Sequence, residues 1–261
     1  MLPAPPTDQR RAVLARVAAE IPRAARPLLV AIDGVDGSGK SCFADELAAV
    51  LEGRGDVVVR ASVDGFHHPR EHRHALGRTP EAVWTRHFDY RTLRRELLDP
   101  WLRGGGAPYR PVWHDVETDQ RVDVAPMPVP EQGVLVVDGV FAQRPELEQA
   151  WDLVVWLEVP FEVSVRRMAA RDGSVDDVAD PDQRRYADAQ RIYLASCGPQ
   201  QRADVVVDNA DLERPLLVRP VAEPPPGWTL EGDELVRTVR LPAVRRGVAE
   251  QVNRLLRDGD A

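Results

Sequence analysis

The chain has 261 residues, 43% of them apolar, which is enough for one large or two small domains with a real core. A net charge of −8 argues against nucleic acid as a partner, because an acidic surface repels phosphate backbones. No apolar run approaches the ~20 residues that span a bilayer, so a membrane partner is not expected either.

Two cysteines, Cys42 and Cys197, do not make a disulfide framework. The first residues, Met-Leu-Pro-Ala-Pro-Pro, lack a charged-then-apolar signal pattern, so the expected location is the cytoplasm. Lys40 is the only lysine among 34 basic residues. Arginine serves wherever a surface cation is wanted, so the one lysine marks a place for a compact ammonium.

In chain order, Val13, Leu14, Val17 and Ile21 give residues 8–21 helical spacing that stops at Pro22. Residues 28–32 read as a strand, and a helical pattern runs from the segment after it to about Leu51. A second strand covers 57–63 and ends at Asp64. Residues 90–103 read as one amphipathic helix, and 108–124 as a hairpin turning at 117–120. Continuous apolar runs at 134–137 and 153–159 read as buried parallel strands. A helix is expected over 161–171 and another over 181–196, with a last core strand at 204–207. Strands alternating with helices predict a doubly wound α/β fold, a parallel sheet covered on both faces. Residues 220–226 form a Pro-rich linker, followed by a hairpin (228–240) and a helix (242–256). The predicted division is a 1–219 core with a small substrate lobe at about 64–130 and a lid at about 166–190, then a 220–261 tail.

Between the first strand and the first long helix lies Gly34-Val35-Asp36-Gly37-Ser38-Gly39-Lys40-Ser41, a full P-loop pattern running into Cys42. Its glycines let backbone amides and a helix N-terminus wrap a triphosphate; Lys40 reaches the β- and γ-phosphates and Ser41 serves Mg²⁺. Asp64 and Asp138 each follow a predicted strand. In open parallel sheets ligands bind beyond the carboxyl ends of strands, so both point to the phosphate crevice, as metal-side acids and, in a kinase, as the base for an acceptor hydroxyl. Five of six histidines fall between 67 and 87 with no spacing suited to a closed zinc site, and are read as a polar loop capping a substrate.

Gly34–Ser41, Asp64-Gly65-Phe66, Tyr109 with His114, Asp138-Gly139 and Arg166-Arg167 through Arg171-Asp172 together resemble the uridine kinase, pantothenate kinase and phosphoribulokinase superfamily over about residues 27–210. The resemblance implies an ATP- and Mg²⁺-dependent enzyme that phosphorylates a hydroxyl of a small-molecule acceptor. It implies Asp64 as the base that also approaches the metal, Asp138 as the metal-side acid, Tyr109 and His114 as residues holding a base, Arg167 and Arg171 as lid arginines closing on the phosphates, and Gln190 as a substrate ligand. Uridine kinases carry Phe-Asp-His-Pro, whose aspartate binds the ribose hydroxyls, where this chain has Arg78-Thr79-Pro80-Glu81; the stretch from Asp64 to Glu81 reads more like pantothenate kinase, and for a nucleoside Glu81, or more distantly Asp89, could supply the carboxylate. The leading acceptor is uridine or cytidine; the alternatives are a pantothenate-like or sugar acceptor. A nucleotide-binding regulatory ATPase is the rival of another class, and a homo-oligomer is compatible with the sequence.

Overall fold

The computed structural model describes residues 6–173, 175–177, 180–219, 228–231 and 234–237. Six strands form the central sheet: β1 (Pro27–Gly34), β2 (Val58–Ser62), β3 (Gly133–Asp138), β4 (Leu153–Glu158), β5 (Val205–Asp208) and β6 (Leu216–Arg219), in the order β6-β5-β4-β1-β3-β2. All neighbours pair in parallel except β6, which runs antiparallel to β5 at one edge. β1, β3 and β4 lie mid-sheet and bury almost every side chain, which is why they read as unbroken apolar runs. The long helices are α1 (Asp8–Glu20), α2 (Lys40–Gly53), α3 (Phe161–Asp172) and α4 (Pro181–Cys197).

Two apolar clusters cover the two faces. One packs α1 and α2 against alternate residues of the sheet, among them Leu28, Val30, Ile32, Val134, Val136, Val155 and Val207. The other joins Leu29, Ala31, Leu135, Val137 and Trp156 to Trp84, Phe88, Leu97, Trp101 and Tyr193. This is the doubly wound arrangement expected from alternating strands and helices, with the carboxyl ends of β1, β2 and β3 converging on one rim.

Three local readings change. The helix expected over 90–103 is helical throughout but contains a π turn at Arg94–Leu98. Pro100 has no N–H for the carbonyl of Glu96, which instead accepts from the Arg110 amide at 2.8 Å. The hairpin at 108–124 is a nested pair: Pro108–Tyr109 with Met127–Pro128, and His114–Asp115 with Gln120–Arg121. The sheet also has an edge strand, β6, beyond the last one expected. In the tail, Trp228–Glu231 pairs antiparallel with Glu234–Arg237; the helix expected over 242–256 lies outside the described residues.

Candidate active site

β1 ends at Gly34 and α2 begins at Lys40, so the glycine-rich segment is a strand-to-helix turn at the sheet rim. Gly37 has φ +69°, and a Cβ there would lie 2.5 Å from the Ser164 carbonyl oxygen, so neither the conformation nor the space admits a side chain. Asp36 is held from three directions. Its amide donates to Gln190 Oε1 at 2.9 Å, its carboxylate accepts from Gln190 Nε2 at 2.8 Å, and its carbonyl accepts from the Ser164 hydroxyl. Lys40 Nζ folds back over the loop onto the Val35 carbonyl at 2.9 Å. Asn209, fully buried after β5, donates from Nδ2 to the Ser38 carbonyl at 2.7 Å, which fixes the loop from beneath.

The second wall is built at the ends of β2 and β3. Asp138 closes β3 and is 2% exposed. Its Oδ2 accepts from the Ser41 hydroxyl at 2.7 Å and its Oδ1 from Arg60 at 2.8 Å. Gly139 is obligatory beside it, because a Cβ would fall 2.4 Å from the Val63 side chain. Asp64 lies just beyond β2 and opens to the cleft. Enclosure by protein raises its pKa above the ordinary carboxylate value, Lys40 opposes this, Asp138 adds to it, and Arg171 opposes it again. Asp36 is pushed the same way, mainly by burial. A serine hydroxyl touching one carboxylate, with a second carboxylate at the end of the adjacent strand, is an oxygen donor set that suits a hard divalent cation.

Two cavities meet here. One, of 510 Å³, is lined by Gly37, Gly39, Lys40, Ser41, Cys42, Asp138, Arg167 and Leu212 among others. The other, of 310 Å³, is lined by His67, Arg73, His87, Phe88, Phe141, Gln183 and Tyr186 among others. Asp36, Asp64, Val140, Met168 and Arg171 line both. Phe141, three residues after Asp138, adopts φ +63° and is held by edge-on contacts with Trp84 and Tyr193.

The structure thus brings Asp36, Gly37, Gly39, Lys40, Ser41, Cys42, Asp64, Asp138 and Arg171 to one cleft, with Gly34 and Ser38 beneath it. It places other candidates elsewhere. Arg167 lines the larger cavity, but its guanidinium donates to the carbonyls of Asn209 (3.0 Å) and Ala210 (2.9 Å), so it ties α3 to the loop after β5. Gln190 is 3% exposed, with both amide atoms spent on Asp36, because α4 runs alongside the loop. Tyr109 is buried edge-on against Trp101, away from both cavities. His114 is also buried, behind the smaller cavity, with Nε2 3.5 Å from Asp119. Glu81 sits in the first turn of the helix Pro80–Arg86 and lines neither cavity. In their place stand Arg73, His87, Gln183 and Tyr186, which no motif marked singly; the histidine-rich run from 67 to 87 and the lid expected at about 166–190 were the signals for this wall.

No family model matches the chain. Among solved structures, a possible uridine kinase from Bacillus stearothermophilus is 26% identical, with a TM-score of 0.58, over 76% of this chain and 96% of that one. A protein provisionally assigned as a fructose transport system kinase, from Silicibacter sp. TM1040, is also 26% identical, with a TM-score of 0.56, over 70% of this chain and 94% of that one. By these likenesses the chain has the fold of the P-loop kinases of the uridine kinase-like superfamily.

Proposed function

We propose that the protein is an ATP-dependent kinase that phosphorylates a hydroxyl of a small metabolite held in the 310 Å³ cavity. The observation that carries this reading is that Asp64 and Arg171 line both cavities, so they stand where a phosphate site and a second ligand site adjoin. The Gly34–Ser41 loop would take the triphosphate of ATP. Ser41 and Asp138, with Asp64 nearby, would hold Mg²⁺, which when bound neutralises charge on the phosphate oxygens.

Asp64 takes the proton of the acceptor hydroxyl as that oxygen forms its bond to the γ-phosphorus. The bond from the γ-phosphorus to the β,γ-bridging oxygen breaks, and its electron pair leaves with ADP. Lys40 and Arg171 balance charge on the transferring group. Arg167 enters this scheme as a brace for the Asn209–Ala210 loop, and Gln190 as a brace for Asp36.

A uridine or cytidine acceptor draws support from the likeness to the possible uridine kinase, and a sugar acceptor from the second neighbour. The aromatic side chains of Phe88, Phe141 and Tyr186 could flank a planar base. Tyr109 and His114, which the resemblance implies as holders of a base, do not line the cavity, nor does Glu81. The test is ADP release from Mg-ATP with uridine, cytidine, fructose and pantothenate. Release that requires an acceptor supports the kinase. Hydrolysis at one rate with and without every acceptor would instead mark a nucleotide-dependent regulator.

A further inference from the structure

Arg73 lines the acceptor cavity alone, whereas Arg171 is shared with the phosphate site. Arg73 is 8% exposed and carries a charge that arginine does not lose. Its Nε donates to the His68 carbonyl at 2.9 Å. The one carboxylate within 4.0 Å among the described residues is Asp119, at 3.8 Å, too far for a hydrogen bond. Asp119 is itself engaged by the Arg70 amide at 2.8 Å. A buried cation without a hydrogen-bonded counter-charge is costly, and the cavity is where one can enter.

The neighbours of Arg73 reinforce this. His67 and His87 line the same cavity, and in a neutral imidazole one ring nitrogen donates while the other accepts. His67 Nδ1 lies 2.7 Å from the Asp64 carbonyl oxygen, which can only accept. The ring proton therefore sits on Nδ1, and Nε2 is left as an acceptor suited to a hydroxyl. Beyond the shared Arg171, the cavity wall thus adds a second guanidinium, Arg73, and a hydroxyl-accepting histidine beside the proposed base.

We infer that the acceptor is an anionic hydroxy compound, its carboxylate or phosphate bound by Arg73. This rests on the kinase reading above and sets neutral nucleosides below charged acceptors. The experiment compares kcat/KM for charged and neutral partners of similar shape: pantothenate with pantothenol, D-glycerate with glycerol, ribulose 5-phosphate with ribulose, and uridine as a neutral nucleoside. The carboxylate and phosphate arms separate the two sources of charge.

An anionic member should exceed its neutral partner, and uridine, by ~10–100-fold, the range of a hydrogen-bonded charge pair. Arg73→Met should erase that advantage mainly through KM for the acceptor, Arg73→Lys should keep part of it, and the KM for ATP should hold in both. If Arg73→Met does not fold, the wild-type preference and the Lys variant decide. Uridine or another neutral acceptor used as well as the anions overturns the inference but leaves the kinase standing. An advantage that survives Arg73→Met overturns it likewise. ADP release that ignores every acceptor overturns the kinase reading, and this one with it.

Discussion

Asp64 combines a catalytic position with an unfavourable one. Enclosure and the neighbouring Asp138 raise its pKa, so the folded state binds its proton more tightly than the unfolded chain does. The ionised carboxylate therefore costs stability above the folded pKa, and that cost is relieved as pH falls from the folded value towards the unfolded one. Asp64→Asn should melt at or above the wild-type temperature at pH 7, with the difference shrinking on acidification. The same variant should lose ~10²–10⁴-fold in kcat while still binding ATP. A variant that melts lower at pH 7 would contradict the assigned cause of the shift. Lys40→Ala should cost ~10²–10³ in kcat and lower the melting temperature at pH 7, since its ammonium offsets the charge of Asp36 and Asp64. Lys40, Ser41, Asp64 and Asp138 were legible because chemistry and spacing sit together in short motifs. Tyr109, His114 and Gln190 were not, because residue type and separation do not say which side of an element faces the cavity. Arg73 and Tyr186 reach one wall from segments more than a hundred positions apart, a juxtaposition that only the folded chain reveals.

Among the elements, α1 does more than cover the sheet. From its first turns Arg10, 5% exposed, donates to Glu46 at 2.6 Å, to Asn209 Oδ1 at 3.1 Å and to the Leu212 carbonyl at 3.2 Å. Asn209 in turn holds the Ser38 carbonyl, so α1, α2, the loop after β5 and the phosphate loop share one polar junction. Arg10→Ala leaves Asn209 Oδ1 buried and unpaired and takes the cation from half-buried Glu46, and should destabilise the protein by ~2–3 kcal/mol in urea unfolding. It should also raise the KM for ATP more than that for the acceptor, since Leu212 lines the phosphate cavity and the acceptor wall is remote from the junction. Equal shifts in both constants would mean a general loss of structure. The helix itself was legible from Val13, Leu14 and Val17, but its tie to the site was not, because an arginine in an amphipathic pattern reads as solvated. The edge strand β6 was missed for a related reason: four residues between Pro215 and Pro220 give too little periodicity, and pairing with β5 is what makes them a strand.

At the scale of the whole molecule, the parallel sheet and its two helical faces follow from the alternation of apolar runs and amphipathic segments, and the sheet rim then gathers the motifs without further instruction. Every residue placed at the two cavities precedes position 213. The remaining boundary is where the kinase unit ends, and we propose residues 1–219, with 220–261 as an appendage. Val218 is fully buried against the core, and Arg219 donates to the carbonyls of Gln201 and Ala203, so β6 closes the sheet edge beside β5. Among the described residues, the hairpin of Trp228–Glu231 with Glu234–Arg237 lies against β6 but pairs within itself and adds no strand to that sheet. Truncation after Arg219 should therefore leave a cooperative unfolding transition and ATP affinity within a few-fold of the full chain. Truncation after Pro215 removes β6, uncovers β5 and should lower stability sharply, with ATP binding lost alongside the fold. Both truncations are read by thermal melting and by titration with an ATP analogue. If the longer fragment were insoluble or blind to nucleotide, the tail would have to be counted as part of the kinase unit, and the boundary would move to the end of the chain.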